Sequence, residues 1–166
     1  MKKKIILLIS LLVIGIVLLT GCTQKTLSEQ PPSTISQELI IKTGTSFGMC
    51  LGYCQQDITI TKDKIVIHKS GRNQDGPLPE VTEDIPISSE QWDTLISSLK
   101  IDEFNSLDDR IGCPDCADGG AEWIEIIDGD TTKRVTFEYS DTISQIENFV
   151  IEIRKIRDAI FSQYKD

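Results

Sequence analysis

The chain has 166 residues and a net charge of −9, with 26 acidic against 17 basic side chains and a single histidine. So acidic a chain is repelled by nucleic acid and by anionic lipid, which argues against either as a partner. Five cysteines and one histidine leave little for a histidine-based metal centre or a Ser-His-Asp triad to build on.

Lys2, Lys3 and Lys4 precede an apolar run, residues 5–19, broken only by Ser10 and Gly15. The run falls short of the ~20 apolar residues of a comfortable span and fits a signal segment. It closes in Leu19-Thr20-Gly21-Cys22. This resembles the lipobox of prokaryotic lipoproteins, which implies cleavage after residue 21 and a lipid on Cys22. Two acyl chains hold a protein stably on a membrane. The expected location is therefore lipid-anchored on a cell membrane or outer membrane, on the extracytoplasmic side. Without residues 1–21 the chain keeps 14 basic side chains against 26 acidic, a net −12.

Residues 22–38 read as the lipidated cysteine and a disordered tether, rich in Ser, Thr, Gln and Pro, with Pro31-Pro32 at its middle. Extended, the tether reaches ~50 Å; as a coil it spans ~20 Å. Residues 39–166 are long enough for one domain with its own core.

A first strand is expected over 39–43, followed by a loop over 44–48. Alternation over 57–61 and 64–68 predicts a hairpin that buries Ile58, Ile60, Ile65 and Ile67. His68 falls on its outward face. Glycine, proline and polar residues predict a loop over 70–79, and 82–87 reads as a further strand. Ser88-Ser89-Glu90-Gln91 is a capping box, and Trp92, Leu95, Ile96 and Leu99 share one face of the helix it opens. Ile101, Phe104 and Leu107 continue the apolar cover. Residues 122–127 and 133–139 form a second hairpin across Asp128-Gly129-Asp130. A long helix over 143–164 carries a stripe of Ile146, Phe149, Val150, Ile153, Ile156, Ile160 and Tyr164. Its far face bears Glu152, Arg154, Lys155 and Asp158. The expected fold is a single α+β domain: an antiparallel twisted sheet built from two hairpins, with two helices packed on one face.

Cys50-Leu51-Gly52-Tyr53-Cys54, followed at once by a hairpin, resembles the opening of a family of secreted and lipoprotein domains of unknown function. That family begins C-x-G-x-C and continues hairpin, helix, hairpin. The sequence departs from it at Gln55, Gln56 and Asp57, where Pro-x-Tyr is frequent. The resemblance implies the fold and supplies no catalytic residue.

Some sixty residues on lies the second pair, in Gly112-Cys113-Pro114-Asp115-Cys116. Outside the cytosol, Cys50, Cys54, Cys113 and Cys116 are expected to form disulfides. Loop entropy assigns ~2 kcal/mol to a local bridge and ~4 kcal/mol to one joining the two pairs, which favours long bridges. Either long bridges or a shared metal would make the two loops spatial neighbours. The residues call for no cofactor; the alternative is zinc on all four cysteines, whose spacings suit half-sites. Redox chemistry at Cys113 and Cys116 is a third reading. Asp115 and Asp118 disfavour a thiolate there, and Arg110 is the one nearby cation. Asp108, Asp109, Asp115, Asp118 and Glu122 crowd one region as oxygen donors without EF-hand spacing; solvated turn residues are the simpler account. Asp115 and Asp118 remain binding candidates. Trp123 faces opposite to Ile124 and Ile126, as core of a doubly covered sheet or as an exposed anchor for a partner. The expected activity is that of a non-enzymatic module binding a protein, peptide or envelope component; the alternative is a zinc-binding or thiol-redox lipoprotein.

Overall fold

A computed structural model of the protein describes residues 38–163. The signal segment, Cys22, most of the tether and Tyr164 lie outside the described residues. Seven strands form one antiparallel sheet: β1 Ile40–Ser46, β2 Gly52–Ile60, β3 Lys64–Asn73, β4 Gly76–Pro77, β5 Val81–Pro86, β6 Ala121–Asp128 and β7 Thr131–Glu138. The helices are α1 Ser89–Ser98, α2 Ile101–Asn105 and α3 Glu147–Gln163. The fold is thus α+β and antiparallel, with more strands and one more helix than the two hairpins and two helices expected.

β1 is the spine of the sheet. It pairs with β2 on one side and β6 on the other, so the two hairpins join through it. β3 carries both β4 and β5 on its outer edge. Along one face, alternation buries Ile41, Ile58, Ile60, Ile65, Ile67, Ile124, Ile126, Val135 and Phe137. These merge with Leu95, Phe104, Phe149, Val150 and Ile153 of the helices into one core. Ser88 caps α1 with the reciprocal bonds of a capping box: its hydroxyl accepts from the Gln91 amide at 3.1 Å, and Gln91 Oε1 accepts from the Ser88 amide at 3.0 Å. Ile101, Phe104 and Leu107 are buried as expected, and the first two lie on the short helix α2.

Two expected loops begin as strand instead. β1 continues through Gly44 to Ser46. An added Cβ at Gly44 would lie 2.7 Å from Asp57 and 2.8 Å from Trp123, so glycine here lets neighbouring side chains cross the strand. Likewise β3 runs on to Asn73, because Gly71 packs directly on the backbone of Gly52. On the far edge, the amide of Ile111 donates to Thr136 O and the amide of Thr136 donates to Asp109 O, both at 2.9 Å. The segment after α2 thereby covers the outer edge of β7.

Candidate functional site

The first two residue rows across the inner face are mostly apolar: Ile65–Ile60–Ile41–Ile126–Lys133, then Ile67–Ile58–Thr43–Ile124–Val135. Thr43 is fully buried and satisfied, its hydroxyl donating to Trp123 O at 2.9 Å. One step further along the same strands the row reads Lys69–Gln56–Thr45–Glu122–Phe137. The core face turns polar at this end.

Glu122 is completely buried. Its carboxylate accepts from Arg154 Nε at 3.0 Å, from an Arg154 terminal nitrogen at 2.7 Å and from an Arg157 terminal nitrogen at 2.7 Å. Two guanidiniums satisfy one desolvated carboxylate, the condition under which a buried charge is tolerated. Arg157 also reaches Asp158 Oδ1 at 3.2 Å, and Arg154 donates to Asp141 O. This corrects two expectations. Glu122 does not belong with the loop acids, because strand alternation points it inward beside Ile124. Arg154 does not stand on the far face of the long helix; it turns along its flank to reach Glu122.

Beyond this triad the sheet and the end of α3 part, leaving a cleft of about 430 Å³. Thr45, Gln56 and Lys69 form its floor, and Arg157, Asp158, Phe161 and Ser162 its helical wall. Phe47, Tyr53 and Tyr139 close it at the loop end. Lys69 is only 5% exposed, and its ammonium lies 5.6 Å from the Tyr53 ring centre and 5.5 Å from that of Phe161. Gln56 Nε2 donates to Tyr53 O at 2.8 Å, and the Tyr53 hydroxyl donates to Pro79 O at 3.0 Å, which fixes this ring. Phe47 and Tyr139 meet edge to face, with centres 4.9 Å apart.

The cysteine loops lie at the same end. β1 and β6 pair antiparallel as far as Ser46 and Ala121, so the chain leaving one strand abuts the chain entering the other. Gly48 stands against the Asp115 carboxylate and Gly120 against Phe47. The loops are neighbours, yet each closes on itself. Cys50–Cys54 and Cys113–Cys116 are disulfides, with Cα–Cα distances of 5.8 and 5.5 Å. The long bridges favoured by loop entropy are not formed. That entropy belongs to the unfolded chain, whereas each tight turn holds its own pair at bridging distance in the folded one.

Asp115 and Asp118 are exposed, both at positive φ (62° and 59°), between Gly112 and Gly120. The loop is pinned by the Asp115 amide donating to Gly120 O at 2.9 Å, the Cys113 amide to Glu138 Oε1 at 2.7 Å, and Arg110 to Pro114 O at 3.1 Å. The structure does not bring Trp123 to the cleft. Trp123 lies half-buried on the outer face, against Gly44 and 3.8 Å from the Arg134 guanidinium. His68, on the same face, meets Asp57 at 3.1 Å. The cleft itself went unread in the sequence. Its signals were there: Glu122 keeps the alternation of Ile124 and Ile126, and Arg157 lies between Ile153 and Ile160 within the apolar stripe of α3. Opposite charges on two core-facing stripes predict a buried ion pair between them.

Compared with models of known protein families and with curated proteins, the sequence matches none.

Proposed function

We propose that the protein is a lipid-anchored extracytoplasmic binding module, held on the membrane through Cys22, whose cleft at the disulfide-bonded end of the sheet takes up a component of the cell envelope. The observation that carries this reading is the cleft. A concave site with aromatic walls and a few convergent polar groups is the usual form of a ligand site. The lipobox supplies the compartment, and the tether stands the domain off the surface. The likeness of Cys50, Gly52 and Cys54 to the opening of secreted and lipoprotein domains agrees with it. The two disulfides suit an oxidising medium and brace the loops that bring Phe47 and Tyr53 to the cleft.

A photo-crosslinking phenylalanine in place of Tyr139, introduced in cells fed labelled palmitate, tests this reading. The protein is expected to carry the label and, on irradiation, to gain the mass of an envelope component. Adding Cys22→Ser is expected to leave unlabelled precursor. A labelled and cleaved Cys22→Ser protein would overturn the anchor, and irradiation without an adduct would overturn the binding module.

A further inference from the structure

We propose that the cleft binds an uncharged sugar, a hexose or N-acetylhexosamine unit of an envelope glycan, with its ring stacked on Tyr139; this rests on the cleft being the binding site. Charge is the first argument. The charged side chains that line the cleft are Lys69, Arg157 and Asp158. Each is met within the fold. Lys69 lies near the rings of Tyr53 and Phe161 and is engaged inside the protein. Arg157, its side chain 5% exposed, holds Glu122 at 2.7 Å and Asp158 at 3.2 Å. A charged ligand would have to give up its water for groups whose charges are already committed. An uncharged one carries no such cost.

Hydrogen-bonding capacity is the second argument. The Ser162 hydroxyl donates to Ala159 O at 2.8 Å, so towards a ligand it acts as an acceptor. Gln56 uses one amide N–H on Tyr53 O at 2.8 Å and carries a second N–H and a carbonyl oxygen besides. Thr45 adds a hydroxyl, donor and acceptor both. The Asp158 side chain is 67% exposed, and its carboxylate accepts only. Donors and acceptors thus mix around one cleft, and sugar hydroxyls answer both. Shape is the third argument. A pyranose has an apolar face of C–H groups besides its hydroxyls. Phe47 meets Tyr139 edge to face, and Tyr139 remains 43% exposed. A ring so placed takes the C–H face while the floor takes the hydroxyls. The cleft is closed at its loop end, and about 430 Å³ suits a compact end unit.

The test uses full-length protein in a sugar-free detergent. The probes are glucose, galactose, mannose and N-acetylglucosamine, each beside its own uronate, followed by ligand-observed NMR and calorimetry. At least one neutral sugar is expected to bind, about tenfold more tightly than its uronate. Tyr139→Phe is expected to keep that affinity and Tyr139→Ala to lower it about fivefold, because stacking needs the ring and not the hydroxyl. Thermal unfolding checks that both variants fold. Where Tyr139→Ala does not fold, saturation transfer from the unsubstituted protein to the bound sugar replaces it, expected strongest at the C–H protons of one ring face. A uronate that binds as tightly as its sugar, unchanged affinity in Tyr139→Ala, or transfer spread evenly over the sugar overturns the proposal and leaves the cleft as a site. No binding of any probe by folded protein also overturns it. The adduct formed in cells at Tyr139 then shows separately whether the cleft holds another envelope component, so the two readings fail independently.

Discussion

Two ends of one sheet face are built from the same strands by opposite means. At one end the rows are isoleucine, closed by Phe104, Phe149 and Ile153 from the helices. At the other the row is Lys69, Gln56, Thr45 and Glu122, closed by Arg154, Arg157 and two disulfide-bonded loops. Apolar contacts are non-directional and fill space, so the isoleucine rows pack face to face with the helices. Charged groups must be met at fixed distances and angles, so the polar end is held by geometry and leaves room between its fixed points. A sheet packed with isoleucine throughout would gain stability and lose the cleft.

The largest expected effects test whether both ends hold the fold. Phe149→Ala at the apolar end should cost about 3–5 kcal/mol in denaturant unfolding. Glu122→Gln at the polar end should cost about 3–5 kcal/mol, because the buried Arg157 and the half-buried Arg154 lose their shared buried counter-charge. Replacing the whole triad, as Glu122→Leu with Arg154→Met and Arg157→Met, should restore most of that loss. Restored stability would show that the triad shapes this end more than it stabilises the domain. A triple variant as unstable as Glu122→Gln would instead make the charges essential to the fold.

The disulfides give a smaller test. Cys50→Ser with Cys54→Ser, or Cys113→Ser with Cys116→Ser, should each cost about 2 kcal/mol, the value for a short loop. Mass spectrometry without reductant should find four hydrogens fewer than in the reduced chain, and peptides cut between the two loops should separate. Peptides that remain joined would bring back the long bridges. Smallest is the cap of α1, at the apolar end: Ser88→Ala should lower stability by about 1 kcal/mol in thermal unfolding and leave the cleft unchanged.

Local patterns determined much of this protein in the sequence itself. Ile58, Ile60, Ile65 and Ile67 alternate because a strand with one covered face must alternate. The box of Ser88 and Gln91 starts a helix because its bonds close within four residues. Asp128-Gly129-Asp130 turns the second hairpin because Gly129 reaches a φ of 58° without a side-chain penalty. Each is a short-range cause, complete within a few residues of chain. Tertiary structure alone decided what depended on distant partners. The strand continues through Gly44 because Trp123 and Asp57 need the space a Cβ would fill. The cysteines pair locally because the two turns, though adjacent, hold each pair within its own reach. Glu122 is buried because Arg154 and Arg157, more than thirty residues away, arrive to meet it. A carboxylate beside a glycine-rich loop reads as solvated until its counter-charges are known, since burial of a charge is settled by the partner and not by the neighbours in sequence.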